Sequence, residues 1–155
     1  MSRVSYVNGR YFPHKEVNVH VEDRGYQFAD GVYEVILVKN RLLVDEIPHL
    51  DRLERSLEAL EIRSPMKRQA LKMVLEEVID KNKFKDGIVY IQITRGVARR
   101  DHGFPKFSKP TLVITARSLK MPGEIAESKG AKVITLPDIR WKRCDIKSVS
   151  LLPNV

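Results

Sequence analysis

Two hydrophobic periods follow one another along this chain, and their order limits the fold more than any other feature. Strand-like runs come first, two leucine- and valine-bearing stretches with helical spacing follow, and strand-like runs then return. Blocks of strands and helices in that order read as an α+β fold. Val4-Ser5-Tyr6-Val7 and Arg10-Tyr11-Phe12 flank Asn8-Gly9, a pair suited to a type I′ hairpin turn. A second hairpin is predicted from the β-branched run Val32 to Val38, a turn at Lys39-Asn40-Arg41 and a return at Leu42-Leu43-Val44. Leu50, Leu53, Leu57 and Leu60 then mark one helix, with Pro48 near its start where a helix tolerates it. Ser64-Pro65 breaks it and opens another, whose apolar face is Leu71, Val74, Leu75, Val78 and Ile79. Strands are expected again at Ile88 to Thr94 and Thr111 to Ala116, divided by a polar loop from Gly96 to Pro110. Structureless loops of that length are uncommon unless they serve a function. The pattern is interrupted at 119–123, read as a linker, and resumes as a strand over Ala131 to Leu136. The chain stops at Val155 soon after Leu151-Leu152, without a cap or polar tail, which reads as a truncated domain.

The 155 residues are enough to bury a core without staples, and the single cysteine, Cys144, excludes an internal disulfide and fits the reducing cytosol. No apolar run approaches the ~18 residues of a membrane span, so no membrane partner is expected. A net charge of +8 raises the question of nucleic acid. The basic residues are interleaved with acids, as in Asp51-Arg52-Leu53-Glu54-Arg55, and a solvated basic surface accounts for them better than a nucleic-acid site. His14, His20 and His49 show no metal-ligand spacing with Cys144.

Several residues could carry chemistry. Lys147, in Asp145-Ile146-Lys147-Ser148-Val149, lies among apolar neighbours, where desolvation favours the neutral, nucleophilic amine. The same surroundings suit a lysine that merely snorkels. Thr94 to His102 gathers Arg95, Arg99, Arg100 and His102, which could trap a carboxylate or simply form a solvated basic loop. Arg52 could meet a phosphate or pair with acids on its own helix. Tyr33 is as readily a core aromatic as a pocket hydroxyl, and Gly25 suits a tight turn in Asp23-Arg24-Gly25-Tyr26.

Taken together, three stretches resemble the fold-type IV pyridoxal-phosphate enzymes, the D-amino acid and branched-chain transaminases. Glu22 to Val35 (EDRGYQFADGVYEV) is similar to the family's N-terminal signature, His49-Leu50-Asp51-Arg52-Leu53 to its helix start, and Ile139 to Ser148 to the segment with its cofactor-bearing lysine. They occur in the family's order and cover nearly the whole chain. The resemblance implies an N-terminal α/β domain of the D-amino acid transaminase-like fold over 1–118, a linker over 119–123, and over 124–155 the first strands of a larger cofactor-binding, β-rich domain. It implies pyridoxal 5′-phosphate as cofactor, Lys147 as the catalytic lysine that holds it, and Arg52 as a donor to its phosphate.

Within the family an Arg-x-His pair marks the D-amino acid transaminases, and here it stands as Arg100-Asp101-His102. By resemblance, Arg100, His102 and Tyr33 receive the substrate carboxylate, the loop reaching the site of a second subunit in a homodimer. Substrates would be D-amino acids and 2-oxo acids. The family's second half supplies most of the phosphate cup and the acid facing the pyridine nitrogen. None of those residues lies in this sequence, so the resemblance implies an N-terminal half that is inactive alone and needs a C-terminal half as a second chain or a lost segment. A branched-chain L-amino acid transaminase and a lyase on the same fold are the neighbouring enzyme readings; a basic anion-binding module without catalysis is the reading from another class.

Overall fold

The structure, a computed structural model, describes residues 3–119, 130, 132–138 and 141–154. Its first element is the expected hairpin, β1 (Val4–Val7) with β2 (Arg10–Pro13). Asn8 and Gly9 have φ of +46° and +100°, the pair of positive values a type I′ turn demands. A five-residue helix, α1 (Arg24–Phe28), leads into the long strand β3 (Gly31–Lys39). Asn40 and Arg41, also at positive φ, return the chain into β4 (Leu42–Leu43). Helices α2 (Glu46–Ala59) and α3 (Arg68–Asn82) follow, then β5 (Gly87–Thr94) and β6 (Thr111–Ser118). The six strands form one antiparallel sheet in the order β2-β1-β6-β5-β3-β4.

Strand alternation gives the sheet two unlike faces. One presents Val32, Ile36 and Val38 of β3, Val89, Ile91 and Ile93 of β5, and Leu112 and Ile114 of β6, all buried. Leu50, Leu53 and Leu57 of α2 and Leu71, Leu75, Val78 and Ile79 of α3 cover it. Each such side chain, fully buried, contributes about 1.5–3 kcal/mol. The other face carries Tyr33, Val35 and Leu37 with Ile88, Tyr90 and Gln92, and these are only half-buried. Among the described residues, no helix is long and apolar enough to cross a membrane.

Three expectations need correction. Asp23-Arg24-Gly25-Tyr26 is not a tight turn: Asp23 caps α1, its Oδ1 accepting the Gly25 N–H at 2.8 Å. Glycine is needed at position 25 because a Cβ would lie 2.1 Å from Thr94 Cγ2. The break between the helices is also wider than Ser64-Pro65. α2 ends at Ala59, and Glu61 at φ +53° turns the chain so that Ile62 re-enters the core. Finally, the strand expected from Ala131 to Leu136 is absent from its described residues, 132–136. Val133, Ile134 and Leu136 are exposed, and β-branched, apolar residues make a strand only where a partner completes the ladder. Of the linker, positions 120–123 lie outside the described residues.

Candidate active site

The site is built on the edge of β3. β5 pairs with Gly31 to Val38 on one side, but on the other β4 reaches only Val38 and Lys39. The open N-terminal stretch is met by Ile146–Val149, more than a hundred residues later. Tyr33 N–H donates to the Lys147 carbonyl at 3.0 Å, Val149 N–H donates to the Gly31 carbonyl at 3.0 Å, and Ser148 forms an antiparallel bridge with Val32. Lys147 N–H donates to Ser56 Oγ of α2 at 3.2 Å. Ile146 and Ser148 are buried at 5% and 7% exposure. Alternation therefore turns Lys147 the opposite way, towards Tyr33. Its Nζ stands 4.1 Å from the centroid of the Tyr33 ring, a cation–π distance. Tyr33 in turn stacks on Tyr90 at 5.8 Å, and the Tyr90 hydroxyl donates to Gln92 Oε1 at 2.6 Å. Burial pushes the Tyr90 hydroxyl pKa up, with the neighbouring Tyr33 adding to it.

Arg52 is positioned by an acid inside the core. Glu34 points under α2 with no exposed side-chain surface. Its Oε1 accepts Arg52 Nε–H at 2.6 Å and its Oε2 accepts Arg52 Nη2–H at 2.8 Å. His49, one helical turn earlier, lies 2.8 Å from the same Oε2. A carboxylate only accepts, so His49 Nδ1 carries the proton of that bond. Burial pushes the Glu34 pKa up, but the hydrogen bonds from Arg52 and His49 outweigh it and hold the carboxyl below its ordinary 4.5. The same bond raises Arg52 further. Arg52 Nη1 makes no hydrogen bond among the described residues, and Arg52 lines a pocket of about 220 Å³ together with Tyr33 and Lys147. Trp141, Asp145 and Ser150 complete much of its wall. A larger cavity of about 550 Å³ lies between Glu61–Arg63 and Phe104–Pro110. Phe104 and Phe107 also line it, but its lysines, Lys106 and Lys109, are exposed and among the described residues neither packs on a ring or pairs with an acid, so the smaller pocket, where Lys147 stands over Tyr33, is the better equipped for covalent amine chemistry.

Lys147, Arg52 and Tyr33 are thus brought together, whereas Arg100 and His102 are not. Both sit on the β5–β6 loop and pack on Phe28 of α1. The Arg100 guanidinium is 5.1 Å from the ring centroid and the His102 ring meets it edge-on at 5.8 Å. Neither borders the Lys147 pocket. Sequence reasoning passed over Glu34, His49 as its partner, and Ser56. The available signal was an acid at a core-facing position of an apolar strand, with a histidine and an arginine three apart on the helix that follows.

The family model for amino-transferase class IV matches residues 31–155, a span that starts at the first residue of β3 and takes in α2 and α3, the Arg100–His102 loop and Lys147. The chain belongs to the class IV aminotransferases. It is 41% identical over 148 residues to the D-alanine aminotransferase of Bacillus licheniformis, a match covering 96% of this chain and 52% of the relative. It is 39% identical over 151 residues to that of Staphylococcus haemolyticus, covering 97% of this chain and 53% of the relative. This class IV chain therefore spans about half the length of the curated relatives it matches. Among solved structures, a T.th. branched-chain amino acid aminotransferase with pyridoxamine 5′-phosphate superposes at a TM-score of 0.74, with 17% identity, covering 81% of this chain and 43% of the other. The 4-amino-4-deoxychorismate lyase of Pseudomonas aeruginosa gives 0.64 at 24% identity, covering 81% and 44%. At such identities these likenesses establish the fold, which is the α+β fold of the class, and nothing about chemistry.

Proposed function

We propose that the protein containing this chain is a D-amino acid transaminase that uses pyridoxal 5′-phosphate held on Lys147. The observation that carries the reading is the convergence of an amine, a guanidinium and an aromatic ring on one pocket: Lys147, Arg52 and Tyr33. That donor set fits a phosphorylated aromatic aldehyde, with an amine for the aldehyde, an arginine for the phosphate and a ring shelf beneath the amine. When bound, the cofactor supplies an electron sink for charge developing at the substrate Cα. Lys147 would take the proton from Cα as general base and deliver it, as general acid, to the C4′ carbon of the cofactor. Arg52, clamped by Glu34, keeps its Nη1 edge for the phosphate. Tyr33 borders the place of the substrate carboxylate. Arg100 offers that carboxylate a bidentate fork, with His102 as a second donor. The carboxylate's position determines which face of Cα meets Lys147, and hence the D preference.

The loop with Arg100 and His102 packs on Phe28 rather than on its own Lys147 pocket. That separation supports a homodimer in which each loop serves the neighbouring subunit. Residues 1–118 form the first domain and 124–155 open a cofactor domain whose remainder lies in a C-terminal half. The free, exposed Cys144 fits a cytoplasmic protein. The relatives named D-alanine aminotransferase favour D-alanine and 2-oxo acids as substrates. Steady-state kinetics of the full-length protein test this. Faster turnover of D-alanine with 2-oxoglutarate than of L-leucine is expected, and the reverse order would transfer the assignment to branched-chain L-amino acids.

A further inference from the structure

We propose that Arg24 is the positioning residue that aims the Arg100–His102 loop, an inference resting on the carboxylate-trap reading above. Arg24 is 3% exposed and sits on α1, outside the Lys147 pocket. Its Nε–H donates to Asp30 Oδ2 at 2.7 Å, which orients the guanidinium plane. The opposite corner, Nη1, donates to the Asp101 carbonyl at 2.7 Å and approaches the Gly103 carbonyl at 3.4 Å. Those two residues flank His102, so one buried cation holds a carbonyl before it and a carbonyl after it. The backbone contributes as well: Arg24 N–H donates to the Gly96 carbonyl at 2.9 Å, at the root of the same loop.

Phe28 completes the arrangement. The Arg24 guanidinium lies 4.7 Å from its ring centroid, Arg100 lies 5.1 Å from it, and His102 meets its edge. Arg24 and Phe28 thus form a platform on which both carboxylate-binding side chains rest. The rest of the loop is held near its ends. Asp23 bridges Val97, Ala98 N–H donates to the Glu22 carbonyl at 3.3 Å, and Gly96 packs so tightly on the Lys109 carbonyl that a Cβ would lie 1.8 Å from it. Between those ends, Asp101, His102 and Gly103 are exposed; the buried Arg24 guanidinium holds them directly, while Arg95, which shares Asp30 Oδ2, packs on the next residue, Phe104, at 4.0 Å. Lysine could replace the charge but not the planar fork that reaches Asp30 and the loop at once.

The test is Arg24→Lys in the full-length enzyme. KM for D-alanine and for 2-oxoglutarate should rise together by about ten- to a hundredfold, as expected for losing one charged hydrogen bond that orders the trap, with kcat held within a fewfold. Amide exchange at 99–103 should quicken while that of β3 and β5 stays as in wild type. Phe28→Leu should reproduce the rise in KM in weaker form. Unchanged KM, a loss confined to kcat, or exchange quickened across the whole sheet would overturn the proposal, and so would an Arg24→Lys protein that fails to fold. Arg100→Ala separates this inference from the one beneath it. If it leaves KM unaltered the carboxylate trap itself is wrong; if it raises KM and Arg24→Lys does not, only the role of Arg24 falls.

Discussion

Replacing Glu34 by Gln probes the buried charge that holds Arg52 in place. The side chain keeps its length, but a carboxylate accepting three hydrogen bonds becomes an amide with a single acceptor oxygen. Whichever way the amide turns, its NH2 group faces a donor, so at least one charge-assisted bond is lost, worth about 1.5–3 kcal/mol. The Arg52 side chain is 40% exposed and can turn to water, which keeps the cost below that of stranding a fully buried cation. A loss of about 2 kcal/mol lowers the urea midpoint by roughly 1 M at a slope near 2 kcal/mol per molar. The comparison should depend on pH in one direction. The folded-state pKa of Glu34 is depressed, so its contribution is complete above the ordinary 4.5 and is lost as pH falls through the lower value. Wild type and variant should differ at neutral pH and converge in acid. Midpoints within about 0.3 M at pH 7, or convergence on raising the pH instead, would refute the clamp.

Other substitutions test separate links. Gly25→Ala places a methyl 2.1 Å from Thr94 Cγ2, whose residue is buried and tied to Asp23, and should cost about 1–3 kcal/mol in unfolding experiments; a change near zero would mean the α1–β5 contact is looser than described. Arg100→Ala should reduce kcat/KM for D-alanine and D-glutamate alike by an amount equivalent to about 1.5–3 kcal/mol, since both share the carboxylate, and His102→Ala should do less. Unchanged kcat/KM for both substrates would remove Arg100 from the site.

What the sequence disclosed depended on how local each feature was. Asn8-Gly9 announces its hairpin because two adjacent residues at positive φ suffice to make it. The leucines of α2 announce their helix because one face of a few turns carries the whole signal. α1 escaped notice because five residues are too few to show a period, and its Gly25 answers to Thr94, some seventy positions away. The 131–136 stretch has the β-branched, apolar composition of a strand, but its described residues, 132–136, have no partner strand among the described residues. In the site, Lys147, Arg52 and Tyr33 could be named from the resemblance, while their meeting depends on pairing between Ile146–Val149 and the edge of β3, a contact no local pattern encodes. Glu34 was hidden for the same reason. An acid in an apolar strand is intelligible only once the helix with His49 and Arg52 is folded over it.

The central claim is that Lys147 is the amine that holds the cofactor, and chemical trapping tests it most directly. The full-length protein is loaded with pyridoxal 5′-phosphate, reduced with borohydride, digested and mapped by peptide mass. The account predicts one phosphopyridoxyl group per chain, on the peptide that contains Cys144-Asp145-Ile146-Lys147-Ser148, and none there in a folded Lys147→Ala variant. Stoichiometric label on any other lysine would contradict it.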